Sequence, residues 1–541
     1  MKPMSPNPLR DVSVSPPSPL RRRGADRRAR RLARKAGAVL TALAAGLGAC
    51  ALPGAGGAPE PAPGLLITGA TLLSPERSEP LENAWVGIRE GRIAFVGAGA
   101  LPPEARDLEH LPAEGLYLIP GLVDGHVHLD SIPGMAFPQR QARGELVRAY
   151  LRQMPRSYLY HGFTTLVDLG AKEGQLHDLL GDAAAHPDLY GCGGSLPLAN
   201  GYPMRFAPPE VRFDVFPNFL YDPRQVREIP ARYSPEDHGP GAAVARVRAA
   251  AGRCVKTFVE DGFGLESSWP TPTVEILREV RDAAHGEGLP LAVHANSYDA
   301  YRTALDGGAD ILVHGLWTWD GHQAEDDGRT LPEAITALLD RLVEEGVASM
   351  PTLRVIAGDR ALFDPGFLQD PALPRVLPAE LVRWYGSEEG QWFGRQLLKG
   401  LPPDQATARA AFDGHTAALR RVQRATARLS EEGAPLLFGS DTPSGPSYGN
   451  PPGLNGYWEL RAWAAVGIPL DRIFAAATLE TAKAFGLEDR YGTVEAGKVA
   501  NLLLLRDDPL QGIDAYDSIR TVILGGRPID RADLSATAPQ P

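Results

Sequence analysis

Residues 120–128 read Pro-Gly-Leu-Val-Asp-Gly-His-Val-His. The apolar start has strand character, and successive side chains on a strand take opposite faces, so His126 and His128 share one. Two imidazoles side by side at a strand end make half of a metal site. Further strand-like runs end in or carry Lys256, His294, His314 and Asp441. Imidazole, amine and carboxylate groups of these types are what a two-metal hydrolytic centre requires.

Such residues need a frame that gathers several strand ends. Eight apolar runs at 122–128, 164–168, 190–193, 254–259, 289–294, 311–314, 347–350 and 436–441 alternate with helical patterns, notably 273–285, 298–306, 331–345 and 407–432. The last four strands each follow a helix that ends at glycine, as at Gly346 and Gly433. Alternating helices and strands with short connections predict a parallel sheet, and eight strands predict a (β/α)8 TIM barrel. A doubly wound open sheet is the alternative, although no glycine-rich phosphate loop opens a βαβ unit. Active sites of such barrels lie at the C-terminal strand ends. Of twelve histidines, only His126, His128, His294 and His314 fall on that edge; the others lie in or beside helices and loops.

Short strand patterns flank this middle at 65–68, 84–88 and 92–96, and again at 492–498, 500–505 and 521–526. They predict a small β-sandwich domain built from both chain ends, 65–120 with 490–534, around a barrel at 121–489. Two long insertions, 196–244 and 354–401, are rich in aromatics such as Tyr202, Phe206, Phe213, Tyr385 and Trp392. Both follow barrel strands and are expected to cover the catalytic face. Trp317 and Trp319 are candidate pocket walls, Asp168 and Asn296 candidate orienting groups, and Arg205, Arg212 and Arg354 candidate holders of a substrate carboxylate.

Arg21 to Lys35 is densely basic, and an uncharged Ala/Leu-rich run then leads to Leu47-Gly48-Ala49-Cys50. This predicts a lipoprotein-type signal peptide at 1–49, with lipid on Cys50, and a Pro/Gly/Ala-rich tether at 50–64; an ordinary cleaved signal is the alternative. Ala51 after the cysteine fits sorting to the outer membrane of a bacterium, facing the periplasm. Residues 1–49 carry eleven Lys/Arg and two Asp/Glu, so the remainder has 44 basic and 64 acidic residues, a formal charge of −20. That excludes a nucleic-acid partner and leaves a small-molecule substrate, with membrane contact only through the anchor. Cys192 and Cys254 begin neighbouring strands; a bridge is open, and two buried free thiols are the expectation.

The chain resembles the amidohydrolase superfamily, specifically its two-metal branch with a carbamylated lysine. The resemblance spans roughly 65–534. It rests on the 120–128 motif, Val-Lys-Thr-Phe at 255–258, Val-His-Ala at 293–295, Val-His-Gly at 313–315 and Gly-Ser-Asp-Thr at 439–442. Asn501 departs from the aspartate that relatives often carry, which is read as a local structural matter. The resemblance implies that His126, His128 and Asp441 hold one metal and His294 and His314 the other. Lys256 would bridge them as a carbamate made from carbon dioxide. Two divalent ions are implied, zinc by default, with manganese, cobalt or iron fitting the same donors. Asp441 would orient a hydroxide shared by the metals and carry its proton to the leaving amine. The expected protein is an exported metal-dependent hydrolase of C–N bonds in small molecules, like the imidazolonepropionase-like and Xaa-Pro dipeptidase-like members. The rivals are a hydrolase of esters, lactones or phosphotriesters, and a catalytically silent binding lipoprotein.

Overall fold

The computed structural model describes residues 64–539 apart from 181–182, 184 and 264–267. The signal peptide and all but the last residue of the tether lie outside the described residues.

Fifteen strands are described: β1 (Leu65–Leu72), β2 (Leu81–Arg89), β3 (Arg92–Ala98), β4 (Glu109–Pro112), β5 (Tyr117–Pro120), β6 (Leu122–Val127), β7 (Phe163–Asp168), β8 (Asp188–Gly191), β9 (Val255–Phe258), β10 (Leu291–His294), β11 (Ile311–Val313), β12 (Ala348–Met350), β13 (Leu502–Leu505), β14 (Ile519–Leu524) and β15 (Arg527–Asp530). Both chain ends build one eight-stranded sheet in the order β15-β14-β13-β5-β1-β2-β3, with β4 beside β1. Its seam explains the unbroken run Leu502-Leu-Leu-Leu505. Leu502 and Leu504 pack in the small-domain core with Ile67, Val86 and Leu118, while Leu503 and Leu505 join the core around the barrel. A strand covered on both faces is apolar at every position. Segment 492–498, read from the sequence as a strand, is instead a run of turns in which Gly492 and Gly497 take φ of +89° and +93°. A left-handed backbone at two such positions breaks an extended run.

The middle of the chain is a barrel of parallel strands with helices between them. One ladder joins β6, β7 and β8, and another joins β9 to β12. No continuous ladder closes the ring; hydrogen bonds and single bridges do. Leu196 N–H donates to Lys256 O, joining the segment after β8 to β9. The eighth strand position, 436–441, forms no ladder, yet Leu437 N–H donates to Ser349 O and Asp441 N–H to His126 O, tying it to β12 and β6. Alternation decides which side chains enter the ring. Val123, Val167, Ala292, Val313, Met350 and Leu437 share an interior cluster, while Leu122, Leu166, Val293 and Leu312 face the helices.

Helix starts match their caps. Thr273, Ser297 and Thr407 each accept an N–H three residues on, opening the helices Val274–Gly286, Tyr298–Asp306 and Ala408–Glu431. Cys192 and Cys254 are joined by a disulfide inside the barrel, with Cα atoms 4.8 Å apart. This corrects the expectation of free thiols: Arg253 N–H donates to Gly191 O, so the two strands run side by side and bring the cysteines within bonding reach.

Candidate metal centre

The six candidate residues converge at one end of the barrel. His126 lies on β6 and His128 just beyond it, and their Nε2 atoms are 3.2 Å apart. Asp441 Oδ1 lies 3.1 Å from the first and 3.2 Å from the second. One ligand atom from each of these three lies within 4.8 Å of the others, a grouping able to hold a cation. The His314 ring packs 5.2 Å from that of His126 and 4.4 Å from that of His294, centroid to centroid. Lys256 rises from β9, 1 % exposed, and its Nζ has no hydrogen-bond partner.

Backbone strain helps aim two of these groups. Val313 already faces the interior, so strict alternation would turn His314 away. His314 instead takes φ of +83°, and Asp441 takes φ of +50°. Non-glycine residues rarely occupy this region and do so where surrounding structure enforces it, often at functional sites. Gly439 lets the strands close: a Cβ there would fall 2.4 Å from Met350 Sδ and 2.7 Å from His126 Cβ.

The electrostatics suit ligation. Burial pushes His126 and His314 well below the usual histidine range and lowers His294, which favours the neutral form that binds metal. Burial also pulls on His128, but the Asp441 carboxylate outweighs it and holds that pKa up. Burial lowers Lys256 to about 7, against the pull of Asp441. A buried amine without an acceptor, beside neutral imidazoles and a carboxylate, fits a site completed by cations and a lysine-borne anion.

Several supporting residues were not singled out from the sequence, although Asp124 and Ser440 lie within the quoted motifs. Asp124 accepts Ser440 N–H at 2.9 Å and Ser440 Oγ–H at 2.5 Å. Thr352 Oγ1 lies 2.9 Å from His314 Nδ1, and buried Glu260 Oε2 lies 3.3 Å from His294 Nε2. Asn455 donates to Ser440 O and Thr442 Oγ1. Glu260 and Thr352 each sit two residues beyond a barrel strand, so strand-end position was the available signal. Of the two candidate orienting groups, Asn296 stands in the site, 3.3 Å from His294 Nε2. Asp168 instead accepts the N–H groups of Leu129, Gly170 and Ala171, fixing the turns after β6 and β7.

The surroundings are aromatic. Tyr202, from the first insertion, packs 4.8 Å from the His294 ring and meets Phe206, Phe258, Phe263 and Trp269. Phe206 and Phe263 are exposed at 66 % and 45 %. The rest of that insertion has its own core of Met204, Phe213, Phe219 and Ile229. The second insertion anchors the loop after His128: Tyr385 Oη–H donates to Pro133 O and Trp392 Nε1–H to Gly134 O. Trp317 lies 5.7 Å from the His314 ring, whereas Trp319 is fully buried beneath Arg424. The three candidate arginines are engaged with protein groups. Arg205 and Arg212 bond Asn200, while Arg354 lies over Trp458 and bonds Asn455 and Gly449 O.

Comparisons with known proteins agree with this architecture. A model described as "Amidohydrolase family" matches residues 243–530, and a second with the same description matches 117–359. Solved structures of the same fold include a Xaa-Pro dipeptidase with bound methionine (19 % identity, TM-score 0.57, covering 86 % of this chain and all of the other). Another is a molinate hydrolase (20 % identity, TM-score 0.61, covering 88 % and 98 %). Among curated proteins, an adenine deaminase of Ruegeria pomeroyi is 42 % identical over 74 residues, and one of Jannaschia sp. is 38 % identical over 79. Those matches cover 14 % and 15 % of this chain, and only 12 % and 13 % of the deaminases' own lengths.

Proposed function

We propose that this chain, which belongs to the amidohydrolase family, is a metal-dependent hydrolase of C–N bonds in small molecules. The observation that carries the reading is the convergence of four histidines and Asp441 around the buried, unpartnered Lys256. His126, His128 and Asp441 would hold one divalent ion, His294 and His314 a second, and carbamylated Lys256 both. When bound, the ions supply the Lewis acidity that polarises a carbonyl and acidifies water. Asp441 does the proton work: its carboxylate stands among the imidazoles, placed to take a proton from the attacking water and return it to the leaving nitrogen. Tyr202 and Phe258 pack against the His294 ring and Trp317 against that of His314, and apolar neighbours of this kind strengthen the charge interactions beside them.

The aromatic wall with few charges favours small, partly apolar amides, such as N-acyl amino acids or dipeptides with an apolar residue, over charged polymers. Engagement of Arg205, Arg212 and Arg354 with protein groups gives no support to carboxylate recognition by these three. The Cys192–Cys254 disulfide supports an oxidising compartment and, with the basic leader and Cys50, a lipid-anchored protein of the periplasm.

The reading is tested by assaying zinc-loaded protein on N-acyl amino acids, dipeptides, adenine, lactones and phosphotriesters, beside Asp441→Asn. Amide turnover that falls about 10²-fold or more in the variant supports it. Turnover confined to lactones or phosphotriesters overturns the C–N assignment and leaves the metal centre standing.

A further inference from the structure

Glu260 lies outside the six-residue set, yet its side chain is only 4 % exposed and faces His294. Both carboxylate oxygens are held. Oε1 accepts Gly262 N–H at 3.0 Å, and Oε2 accepts Asn296 Nδ2–H at 2.6 Å. The same Oε2 lies 3.3 Å from His294 Nε2.

A neutral imidazole carries one N–H and one lone pair, and the partner of one nitrogen decides which is which. A carboxylate offers lone pairs, and Asn296 Nδ2, also 3.3 Å from Nε2, makes its shorter bond to Oε2 at 2.6 Å, so the nitrogen facing Glu260 carries the proton. His294 therefore presents Nε2–H to Glu260 and keeps its lone pair on Nδ1. His314 is arranged the other way: Thr352 Oγ1 engages its Nδ1, leaving Nε2. The two rings pack edge to face at 4.4 Å, so opposite nitrogens can serve one ion between them.

Resting on the reading of His294 and His314 as ligands, we propose that Glu260 is a positioning residue that fixes His294 as an Nδ1 donor. Asn296 holds Glu260 in place and Thr352 performs the matching task for His314. Metal-bound histidines commonly donate their other N–H to such a carboxylate, and loss of that partner typically costs 10–100-fold in metal affinity.

The test is zinc binding, by titration against a chromogenic chelator with elemental analysis, on the full chain and on Glu260→Ala, Glu260→Gln, Asn296→Ala and His294→Ala. Glu260→Ala is expected to weaken the more loosely held ion about 10–100-fold and leave the first unchanged. Glu260→Gln, whose amide oxygen still accepts from Nε2–H, should recover most of that loss, and Asn296→Ala should show a smaller loss of the same kind. A general packing defect would weaken both ions and would not be rescued by glutamine. If His294→Ala loses the second ion while Glu260→Ala binds it with wild-type affinity, the positioning role is overturned and the ligand reading survives. If His294→Ala still binds two ions, the ligand reading itself fails. Should Glu260→Ala not fold, wild-type affinity in both Glu260→Gln and Asn296→Ala overturns the proposal.

Discussion

Asp124 and Ser440 meet where the first barrel strand lies against the segment that carries Asp441. The Asp124 carboxylate takes both the backbone N–H and the hydroxyl of Ser440 and also accepts His126 N–H at 3.2 Å. Asp124 is fully buried, and burial pushes its carboxyl up to about 7. One side chain thus ties the backbone of one candidate ligand to the residue preceding another, at the seam that lacks a ladder. Ser440→Ala leaves that buried carboxyl short of a donor and should cost about 1–3 kcal/mol. Denaturant unfolding checks it; an unchanged midpoint and slope would mean the seam is held by other contacts.

Lys256→Ala should abolish tight binding of a second ion and reduce turnover to background. The amine has no hydrogen bond to lose and lies 5.4 Å from the Phe258 ring, so the effect on the fold should be small beside the effect on turnover. Short carboxylic acids supplied in solution should restore part of the activity by replacing the missing bridging oxygens. Near-full activity without them would contradict the carbamate.

The disulfide closes a loop of 62 residues, for which chain entropy gives about 4 kcal/mol of stabilisation. Cys192→Ala/Cys254→Ala protein should melt earlier than wild type. Peptide mapping after alkylation without reductant should find Cys192 and Cys254 linked. Recovery of both as alkylated free thiols would contradict the bridge.

Cys50→Ser should block lipidation and either release a soluble form or leave the precursor unprocessed. Membrane fractionation of the bacterium checks this. Native protein found wholly in the cytoplasm would refute export.

Much of the site was legible because chemistry and position coincide. His126, His128, His294 and His314 lie at or just beyond strand ends, Lys256 lies within β9, and Asp441 ends an apolar run; the apolar residues before them show where those runs stop. The helix 298–306 matched its expected bounds because Ser297 caps it and glycines follow it. What escaped depends on the third dimension. Glu260 and Thr352 belong to no quoted motif, and Asp124 sits inside the 120–128 motif with no sign of its partner; the roles of all three arise from which strands become neighbours. The strand expected at 436–441 is a single bridge at Leu436, and its run ends where Asp441 takes a left-handed φ of +50°. The turns at 492–498 were mistaken for a strand because two glycines count for little in an apolar alternation and for much in φ. The disulfide could not be read from spacing, since only the approach of β9 to β8, marked by the Arg253 N–H to Gly191 O bond, sets that distance.

We propose that one end of this barrel holds two divalent ions bridged by Lys256. Elemental analysis of protein produced with ample zinc and bicarbonate, then freed of loosely held metal, tests it most directly. About two ions per chain are expected in the wild type, with a loss of at least one in Lys256→Ala. Trace metal in the wild type, or two ions in both proteins, would contradict it.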